Sequence, residues 1–240
     1  MRLDLLPAPE GASDYLAVDK PAGLPSHGPG GLLSAAREEW GDDVHLVHRL
    51  DRETSGVLLL ARGLEALRAA HEAWPDHVEK TYVALTRGVP SPREGVVDAP
   101  LLERRTSRPD LLLRALKAAY GPSRAGHLLA GRRVRAIPPL PEPGRTAVHP
   151  AGRPARTAYR VLSSDGATAL VELSPRQGRM HQVRVHLAHL GTPLRGDRLY
   201  DPDARPGDGT VLRAVRLVWR DPPGTPPGTA WVFEAPLPER

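Results

Sequence analysis

The sequence predicts an α+β fold: a mixed, largely antiparallel sheet with flanking helices. Three observations support this prediction. Residues 79–88, EKTYVALTRG, alternate apolar and polar side chains with the period of two that a half-buried strand shows. Residues 155–163 and 168–174 alternate in the same way, and a turn at residues 164–166 joins them as a hairpin. Stretches with the apolar spacing of helices lie between the strand-like stretches.

The N-terminal third is predicted to contain two strands and two helices. Asp14–Asp19 alternates and ends at a Lys-Pro pair, which favours a strand that runs into a turn. The next twelve residues, KPAGLPSHGPGG, have the composition of a loop. Helical spacing is found in Leu32–Trp40 and in Gly63–Trp74. Between these helices, the apolar run Val57–Ala61 follows a glycine, as is typical of a buried strand.

The segment from about residue 100 to residue 154 is the least regular part of the sequence. Pro109–Tyr120 has the pattern of an amphipathic helix with proline at its start. Residues 131–145 are rich in proline and arginine, which favours a segment without regular structure. The cations of this region suit contact with an RNA backbone, and a solvated basic loop without a role is an equal alternative. They are Arg104, Arg105, Arg108, Arg114, Lys117, Arg124, Arg132, Arg133 and Arg135.

The C-terminal third is predicted to contain one further helix and a second pair of strands. The helix, Met180–Leu190, stops at Gly191, where glycine commonly ends a helix. The strands, Val211–Val218 and Thr229–Glu234, are joined by the turn DPPGTPPG. We expect all of these elements to form a single domain over residues 1–240, with no separate RNA-binding module before Tyr15.

Composition limits the classes of protein to which the chain can belong. The formal net charge is +5 and the isoelectric point is about 9.9, which favours an anionic partner such as RNA. A biased use of Arg, Ala, Gly and Pro is the alternative explanation. The absence of cysteine excludes disulfides and thiolate metal sites and suits the cytoplasm, where we expect the protein. No apolar run approaches the roughly 20 residues of a membrane span.

The residues Val47–Arg62, VHRLDRETSGVLLLAR, contain the strongest sign of a functional site. Six polar or ionisable residues, HR-DRET, stand directly before the apolar run. Charges placed against a core strand each need a partner, so they are not expected in a segment that serves folding alone. Asp51 has an arginine close on either side, an environment that keeps a carboxylate ionised.

The nine residues HRLDRETSG resemble the signature of the RluA-type pseudouridine synthases, in which the Asp of H-R-L-D is catalytic. Three further blocks resemble the same family in the same order. KPAG corresponds to K-P-x-G, and EKTY corresponds to K-x-Y. RQGRMHQVRVHL, followed by GDRLY, corresponds to T-G-R-T-H-Q-I-R-V-H-L and G-D-x-x-Y. Gln177 and Met180 depart from this pattern, and Arg213 stands where the family usually has histidine. The segment from about residue 100 to residue 154 is longer than the family core requires, so the resemblance implies that it is an insertion.

The resemblance implies an α+β pseudouridine synthase domain with a basic cleft at Asp51, which isomerises uridine in ribosomal or transfer RNA. Asp51, Tyr82 and Arg184 would then be catalytic: Asp51 as nucleophile or base, Tyr82 stacked on the base, and Arg184 paired with the carboxylate. Arg179 is the alternative partner of Asp51, and the sequence leaves that choice open. Further residues are expected to bind substrate: His48, Arg49, Leu50, Arg52, Thr54, Lys20, Arg179, His181 and Gln182.

The reaction is an isomerisation, so we expect no cofactor, nucleotide or metal, and a monomer is the default expectation. Two rivals remain. In a metal-dependent hydrolase, His45, His48 and Asp51 would be the ligands, but their spacing suits a helical turn that nothing around them predicts. A catalytically silent RNA-binding protein on the same fold would have the same charge. Substitution of Asp51 distinguishes it, because binding would survive that change and turnover would not.

Overall fold

The computed structural model of the chain describes residues 2–105, 109–132, 134 and 137–237. The helices in these ranges are α1 (Leu32–Trp40), α2 (Gly63–His77), α3 (Pro109–Tyr120), α4 (Pro122–Leu129) and α5 (Gln182–His189). The strands are β1 (Tyr15–Lys20), β2 (Val44–Leu46), β3 (Ser55–Arg62), β4 (Val78–Arg87), β5 (Glu94–Asp98), β6 (Leu101–Glu103), β7 (Thr146–Val148), β8 (Arg156–Ser164), β9 (Thr168–Pro175), β10 (Leu212–Arg220) and β11 (Ala230–Glu234). No helix within these ranges is both long enough and apolar enough to cross a bilayer.

Two compact units make up the fold. The first contains the residues up to Leu85, the segment Leu170–Ser174 and the residues from Thr210 onward. The second contains Thr86–Ala169 and Pro175–Gly209. Each unit has its own strand pairs and its own apolar clusters.

The first unit is organised around a sheet in which β1, β3, β10, β4 and the middle of β9 follow one another, with β2 beside β3 and β11 beside β10. β1 pairs antiparallel with β3 in the register Tyr15↔Ala61 to Lys20↔Gly56. β10 pairs antiparallel with both β4 and β11. It pairs parallel with β3 over a short stretch at Ala214↔Gly56. A mixed, largely antiparallel sheet is therefore confirmed.

Strand β3 is buried on both faces, which explains why its sequence is a continuous apolar run. Leu59 points into a cluster that includes Trp219 and Ala70 of α2. Leu58 points to the opposite face, into a cluster that includes Leu32 of α1. Each of these leucines contributes on the order of 2 kcal/mol by leaving water. The strand therefore provides a rigid support for the polar loop that precedes it.

Gly56 lets β3 and β10 approach closely. Its φ is +105°, and a Cβ at this position would collide with the backbone of Ala214. Glycine has no Cβ, so the two backbones can lie side by side immediately after the HRLDRETS loop.

The second unit contains two strand pairs and three helices. β5 pairs antiparallel with β8, and β6 pairs antiparallel with β7. α5 is buried along most of its length, from Gln182 to Leu187. α3 and α4 pack against each other over a small apolar cluster of their own, which includes Leu112, Leu116 and Leu128. This cluster gives the basic segment after residue 100 a folded core.

The element boundaries mostly follow the predictions, with differences at α2, α5 and α4, and the strands β5, β6 and β7 were not predicted. α2 continues past Trp74 to His77. α5 begins at Gln182 rather than Met180, because His181 has a left-handed φ of 56° and cannot lie inside the helix. α4 was not predicted, because an eight-residue helix with two buried side chains gives little periodicity. Arg108, Arg133 and Arg135 lie outside the described residues.

Candidate active site

Asp51 lies in the loop between β2 and β3, and the residues on either side of it are fixed through their backbones. The Ser26 hydroxyl donates to the carbonyl of Leu50 (2.8 Å) and accepts from the amide of Leu50 (3.1 Å). The amide of Gly23 donates to the carbonyl of Arg52 (2.8 Å). The amide of Thr54 closes the turn by donating to the carbonyl of Asp51 (3.1 Å). The K-P-x-G loop and the H-R-L-D loop are therefore one hydrogen-bonded structure.

The buried side chain of Lys20 connects these two loops. Its ammonium donates to the carbonyls of Pro21 (2.8 Å), Leu24 (2.7 Å) and Arg52 (3.0 Å), and the side chain is fully buried. Burial lowers the pKa of Lys20 to about 8, while the charges of Glu53 and Asp51 oppose that shift. All three N–H groups of the ammonium therefore donate to backbone carbonyls, and the expected contact of Lys20 with substrate stays a prediction. Lys20 supports the loop that carries Asp51.

His48 is partly buried against the same loop. Its Nε2 accepts a hydrogen bond from the amide of Leu59 (3.1 Å), so the proton of the neutral ring is on Nδ1. The ring stacks on Trp74 with centroids 4.9 Å apart, and the Lys80 ammonium lies 5.8 Å from the same Trp74 ring. Burial, assisted by the charge of Lys80, lowers the pKa of His48 to about 3. His48 is therefore a neutral anchor between the loop and β3.

Tyr82 of β4 belongs to the same unit as Asp51 and packs in the same apolar cluster as Leu50. Burial raises the pKa of the Tyr82 hydroxyl far above its usual value of 10, and the negative charge of Asp51 raises it further. The hydroxyl therefore stays protonated at neutral pH.

The remaining predicted residues of this loop fall into two groups. Arg49 and Arg52 extend into solvent, and the Nε of Arg52 donates to the carbonyl of Gly23 (2.8 Å). Leu50 and Thr54 are buried. The two arginines present positive charge at the surface, whereas Leu50 forms part of the apolar support.

Arg184 of α5 forms a buried two-bonded ion pair. Its Nε and Nη2 each donate to a carboxylate oxygen of Asp197 at 2.7 Å. The guanidinium carbon also lies 5.3 Å from the centre of the Tyr200 ring. Asp197 is fully buried and accepts a further bond from the amide of Leu199 (3.0 Å). Such a charge-assisted fork fixes the direction of the guanidinium.

His181 and Tyr200, which also belong to the second unit, form a further polar contact. The Tyr200 hydroxyl lies 2.8 Å from the Nδ1 of His181 and accepts from the amide of Thr146 (3.1 Å). His181 holds its left-handed backbone angle at the start of α5, a conformation that persists only where surrounding contacts enforce it. This pair fixes the orientation of the His181 ring.

Arg179 and Gln182 have different surroundings. The Nε of Arg179 donates to the carbonyl of Pro154 (3.2 Å), and burial together with the charge of Arg153 lowers the pKa of Arg179. Gln182 is buried, and its amide nitrogen donates to the carbonyl of Arg156 and to the hydroxyl of Thr157. Its oxygen accepts from the backbone of Arg179. The side chain of Gln182 therefore holds the segment before α5, and its expected contact with substrate stays a prediction.

The ligand set of the rival metal site does not come together. The Nε2 of His48 is occupied by the amide of Leu59, and the Nε2 of His45 lies 3.0 Å from Asp43. Within the described ranges, no group of three or more His, Asp or Glu side chains is arranged to hold a metal ion.

The family model described as RNA pseudouridylate synthase matches residues 14–189 of the chain, a stretch that contains Asp51, Tyr82 and Arg184. The chain belongs to the RNA pseudouridylate synthase family. The resemblance of its four sequence blocks to pseudouridine synthases is thereby confirmed.

Relatives of known name agree with this assignment. Pseudouridylate synthase RPUSD4, mitochondrial, of Xenopus tropicalis is 39% identical over 223 residues, or 85% of this chain and 64% of that protein. Ribosomal large subunit pseudouridine synthase C of Escherichia coli is 34% identical over 239 residues, or 93% of this chain and 64% of that protein. The solved structure of human RNA Pseudouridylate Synthase Domain Containing 4 has a TM-score of 0.68 at 26% identity, covering 98% of this chain and 88% of that one. The chain spans slightly less than two thirds of the two curated relatives.

Sequence reasoning missed several side chains that hold predicted site residues of this RNA pseudouridylate synthase family member in place. Asp197, which holds Arg184, is the Asp of the G-D-x-x-Y block, and Tyr200, which holds His181, is its Tyr. The motif contained the signal, but sequence spacing cannot show which side chain each one meets. Ser26 and Trp74 gave no signal at all, since the contacts of both with the H-R-L-D loop are made across more than 20 residues of chain.

Proposed function

We propose that the protein is an RNA pseudouridine synthase, an isomerase that converts specific uridines of structured RNA into pseudouridine. The observation that carries this proposal is the Asp51 loop. An aspartate follows H-R-L, its neighbours Leu50 and Arg52 are both fixed through their backbones, and its charge acts on the hydroxyl of Tyr82. A carboxylate on a loop held this firmly, whose charge acts on an aromatic hydroxyl, suits covalent or proton-transfer chemistry on a base.

The reaction breaks the bond between N1 and C1′ of uridine, rotates the base and joins C5 to C1′. The proton of C5 is lost to solvent and N1 gains a proton, so the atoms balance without a redox partner. Asp51 supplies the carboxylate, either as a nucleophile or as a base. Since substrate and product are isomers, the account needs no cofactor, nucleotide or metal.

Tyr82 is proposed to stack on the uridine after it has left its own stack. A base that is splayed out of an RNA fold is commonly held on an aromatic face, and flipping costs a few kcal/mol that such contacts offset. The raised pKa of Tyr82 keeps its hydroxyl able to donate a hydrogen bond or a proton. Leu50, packed in the same apolar cluster, supports this side of the site.

Arg184 is proposed to balance the charge of Asp51. A guanidinium has more than one edge that can donate to a carboxylate, and Asp197 takes the Nε–Nη2 edge. Arg184 can therefore keep its fork to Asp197 and still serve a second anion. Arg179 has weaker support for this role, because its Nε bonds a backbone carbonyl and no carboxylate of the described residues forms a fork with it.

Large-subunit ribosomal RNA is the substrate class that we favour. Three relatives at 33% to 34% identity are named ribosomal large subunit pseudouridine synthase C. Transfer RNA is the alternative. Exposed Arg49 and Arg52 are proposed to meet RNA phosphates, and His181 and Thr54 to support the bound nucleotide. A cytoplasmic monomer remains the prediction, although other relatives are named mitochondrial.

The test is direct analysis of nucleosides. The full chain is incubated with unmodified ribosomal RNA transcripts and, separately, with unmodified transfer RNA transcripts, and the digested nucleosides are separated by chromatography. We expect pseudouridine to appear at a discrete number of sites, and in ribosomal RNA first. Absence of pseudouridine from both RNAs and from pre-ribosomal particles would overturn the proposal.

A further inference from the structure

The helices α3 and α4 and the residues directly after them concentrate positive charge. Four exposed cations, Arg114, Lys117, Arg124 and Arg132, are called the basic face here. Asp110 is the one carboxylate in residues 109–132. Within the described part of the chain, none of the four cations of the basic face has a carboxylate within 4.0 Å.

Exposed arginines of the first unit are placed differently. Arg216 pairs with Glu234 at 3.0 Å, and Arg220 pairs with Glu79 at 2.8 Å. Both are about half exposed, so exposure alone does not deprive an arginine of a partner in this protein. The basic face is therefore a local excess of positive charge, which a multiply charged anion would neutralise.

The helices that carry these cations pack against each other through a shared apolar cluster. Leu112 and Leu116 of α3, together with Ala125 and Leu128 of α4, are buried in their common cluster. On α3, Arg114 and Lys117 stand one turn apart on the side away from the buried leucines. Most apolar side chains of both helices face the cluster, and Leu111 and Leu129 are exposed. Two exposed leucines beside four exposed cations favour a polyanion over insertion into a lipid layer.

A groove adjoins the basic face. It has a volume of about 690 Å³ and runs between α4 and the proline-rich segment. Arg104 and Arg132 provide its charge, while Leu128, Ile137 and Leu140 provide apolar wall. This volume lies within the range of small-ligand sites, so it can admit one nucleotide beside a chain of phosphates. Unstacked RNA bases commonly stack on the planes of arginine guanidinium groups.

We propose that the α3–α4 pair is an RNA-docking surface, which binds phosphates of the substrate RNA along its basic face and brings the groove against an adjacent nucleotide. This inference rests on the proposed function for the identity of the polyanion. Phosphate contacts give affinity and position without sequence information. The surface therefore raises the affinity for large, folded RNA without taking part in the chemistry.

The experiment compares two variants of the full chain that lose the same charge. The docking variant is Arg114→Gln/Lys117→Gln/Arg124→Gln/Arg132→Gln, and the control is Arg62→Gln/Arg68→Gln/Arg216→Gln/Arg220→Gln. Binding of a fluorescein-labelled ribosomal RNA fragment is followed by fluorescence anisotropy over a range of salt concentrations, and circular dichroism establishes that both variants fold. Turnover of the same RNA is measured in parallel.

For the docking variant we expect affinity at about 0.1 M salt to fall on the order of tenfold or more, and the salt slope to decrease by about one for each lost phosphate contact. KM should rise while kcat changes less than about twofold, and the control should stay near wild type. Equal losses in both variants would overturn the proposal. The proposal would also be overturned if the docking variant retained RNA binding but lost binding to phosphatidylserine vesicles, because that result would indicate a membrane surface. Absence of turnover in every protein would count against the proposed function alone, because binding is measured separately.

Discussion

The Nζ of Lys20 donates a hydrogen bond to the carbonyl oxygen of Arg52 at 3.0 Å, one residue beyond Asp51. Two further bonds from the same ammonium fix the carbonyls of Pro21 and Leu24. A single buried cation thus joins the K-P-x-G loop to the loop that carries Asp51. A tetrahedral ammonium can donate in three directions, whereas the donors of a guanidinium lie in one plane.

Replacement of Lys20 by arginine should therefore be destabilising although the charge is kept. We expect Lys20→Arg to lower the free energy of unfolding by about 3 kcal/mol and to reduce kcat, because the longer, planar group cannot satisfy three carbonyls in a fully buried space. Denaturant unfolding and turnover measure both effects. Lys117→Arg, on the exposed side of α3, is the control and should change stability by less than about 0.5 kcal/mol. Wild-type stability and kcat in Lys20→Arg would contradict the assigned role.

The lowered pKa of His48 predicts that the folded protein loses stability in acid. The pKa of His48 is about 3 in the folded protein and about 6.5 in an unfolded chain, so between these values only the unfolded state binds the proton. The contribution of neutral His48 to the free energy of unfolding is therefore fully present above about pH 6.5. It declines as the pH falls toward 3, by up to about 1.4 kcal/mol per pH unit.

The measurement is the free energy of unfolding of wild type and His48→Gln from pH 4 to pH 7. The variant should be less stable at pH 7 and should show a shallower dependence on pH, since it lacks one titrating group. His27→Gln, which changes an exposed histidine, should keep the wild-type slope. Parallel curves for wild type and His48→Gln would show that His48 is not held neutral.

Substitution of each arginine by glutamine distinguishes the roles of Arg184 and Arg179. Arg184→Gln should reduce kcat by at least about 100-fold and lower stability by about 3 kcal/mol, because it leaves the buried carboxylate of Asp197 without its cation. Arg179→Gln should reduce kcat less than about tenfold and leave stability within about 1 kcal/mol. Turnover and urea unfolding of the two variants give both comparisons. The reverse order of kcat values would assign the catalytic cation to Arg179.

Gly56 and Gly166 test the close approach of β3 to β10. Both have positive φ, at +105° and +89°, but a Cβ at Gly56 would meet the backbone of Ala214, whereas a Cβ at Gly166 would meet nothing within 4 Å. Gly56→Ala should thus cost more than about 4 kcal/mol and prevent stable folding, while Gly166→Ala should cost about 1 kcal/mol. Thermal unfolding compares the two. Similar melting temperatures would contradict the observed strand spacing.

Sequence patterns predicted the parts of this molecule whose signals are local. The apolar run of β3 and the spacing of α1 and α3 follow from burial, which imposes a period on the chain. The motif around Asp51 was sufficient for the family. The actual roles of Lys20 and Gln182 were not predictable, because both residues bond backbone groups that only the folded loops bring close. Arg213, which replaces the usual histidine, likewise forms an ion pair with Asp19, 194 positions away in the sequence.

The most direct test of the central claim is tritium release from RNA labelled at C5 of uridine, because formation of the C5–C1′ bond must expel the hydrogen at C5. Wild type and Asp51→Asn are run side by side on ribosomal RNA, and the affinity of each for that RNA is measured separately. We predict release by wild type, none by Asp51→Asn, and affinities within about tenfold, roughly 1.4 kcal/mol, of each other. Release by Asp51→Asn at the wild-type rate would contradict the catalytic role of Asp51. Tight RNA binding without release by either protein would instead indicate an RNA-binding protein that does not catalyse the isomerisation.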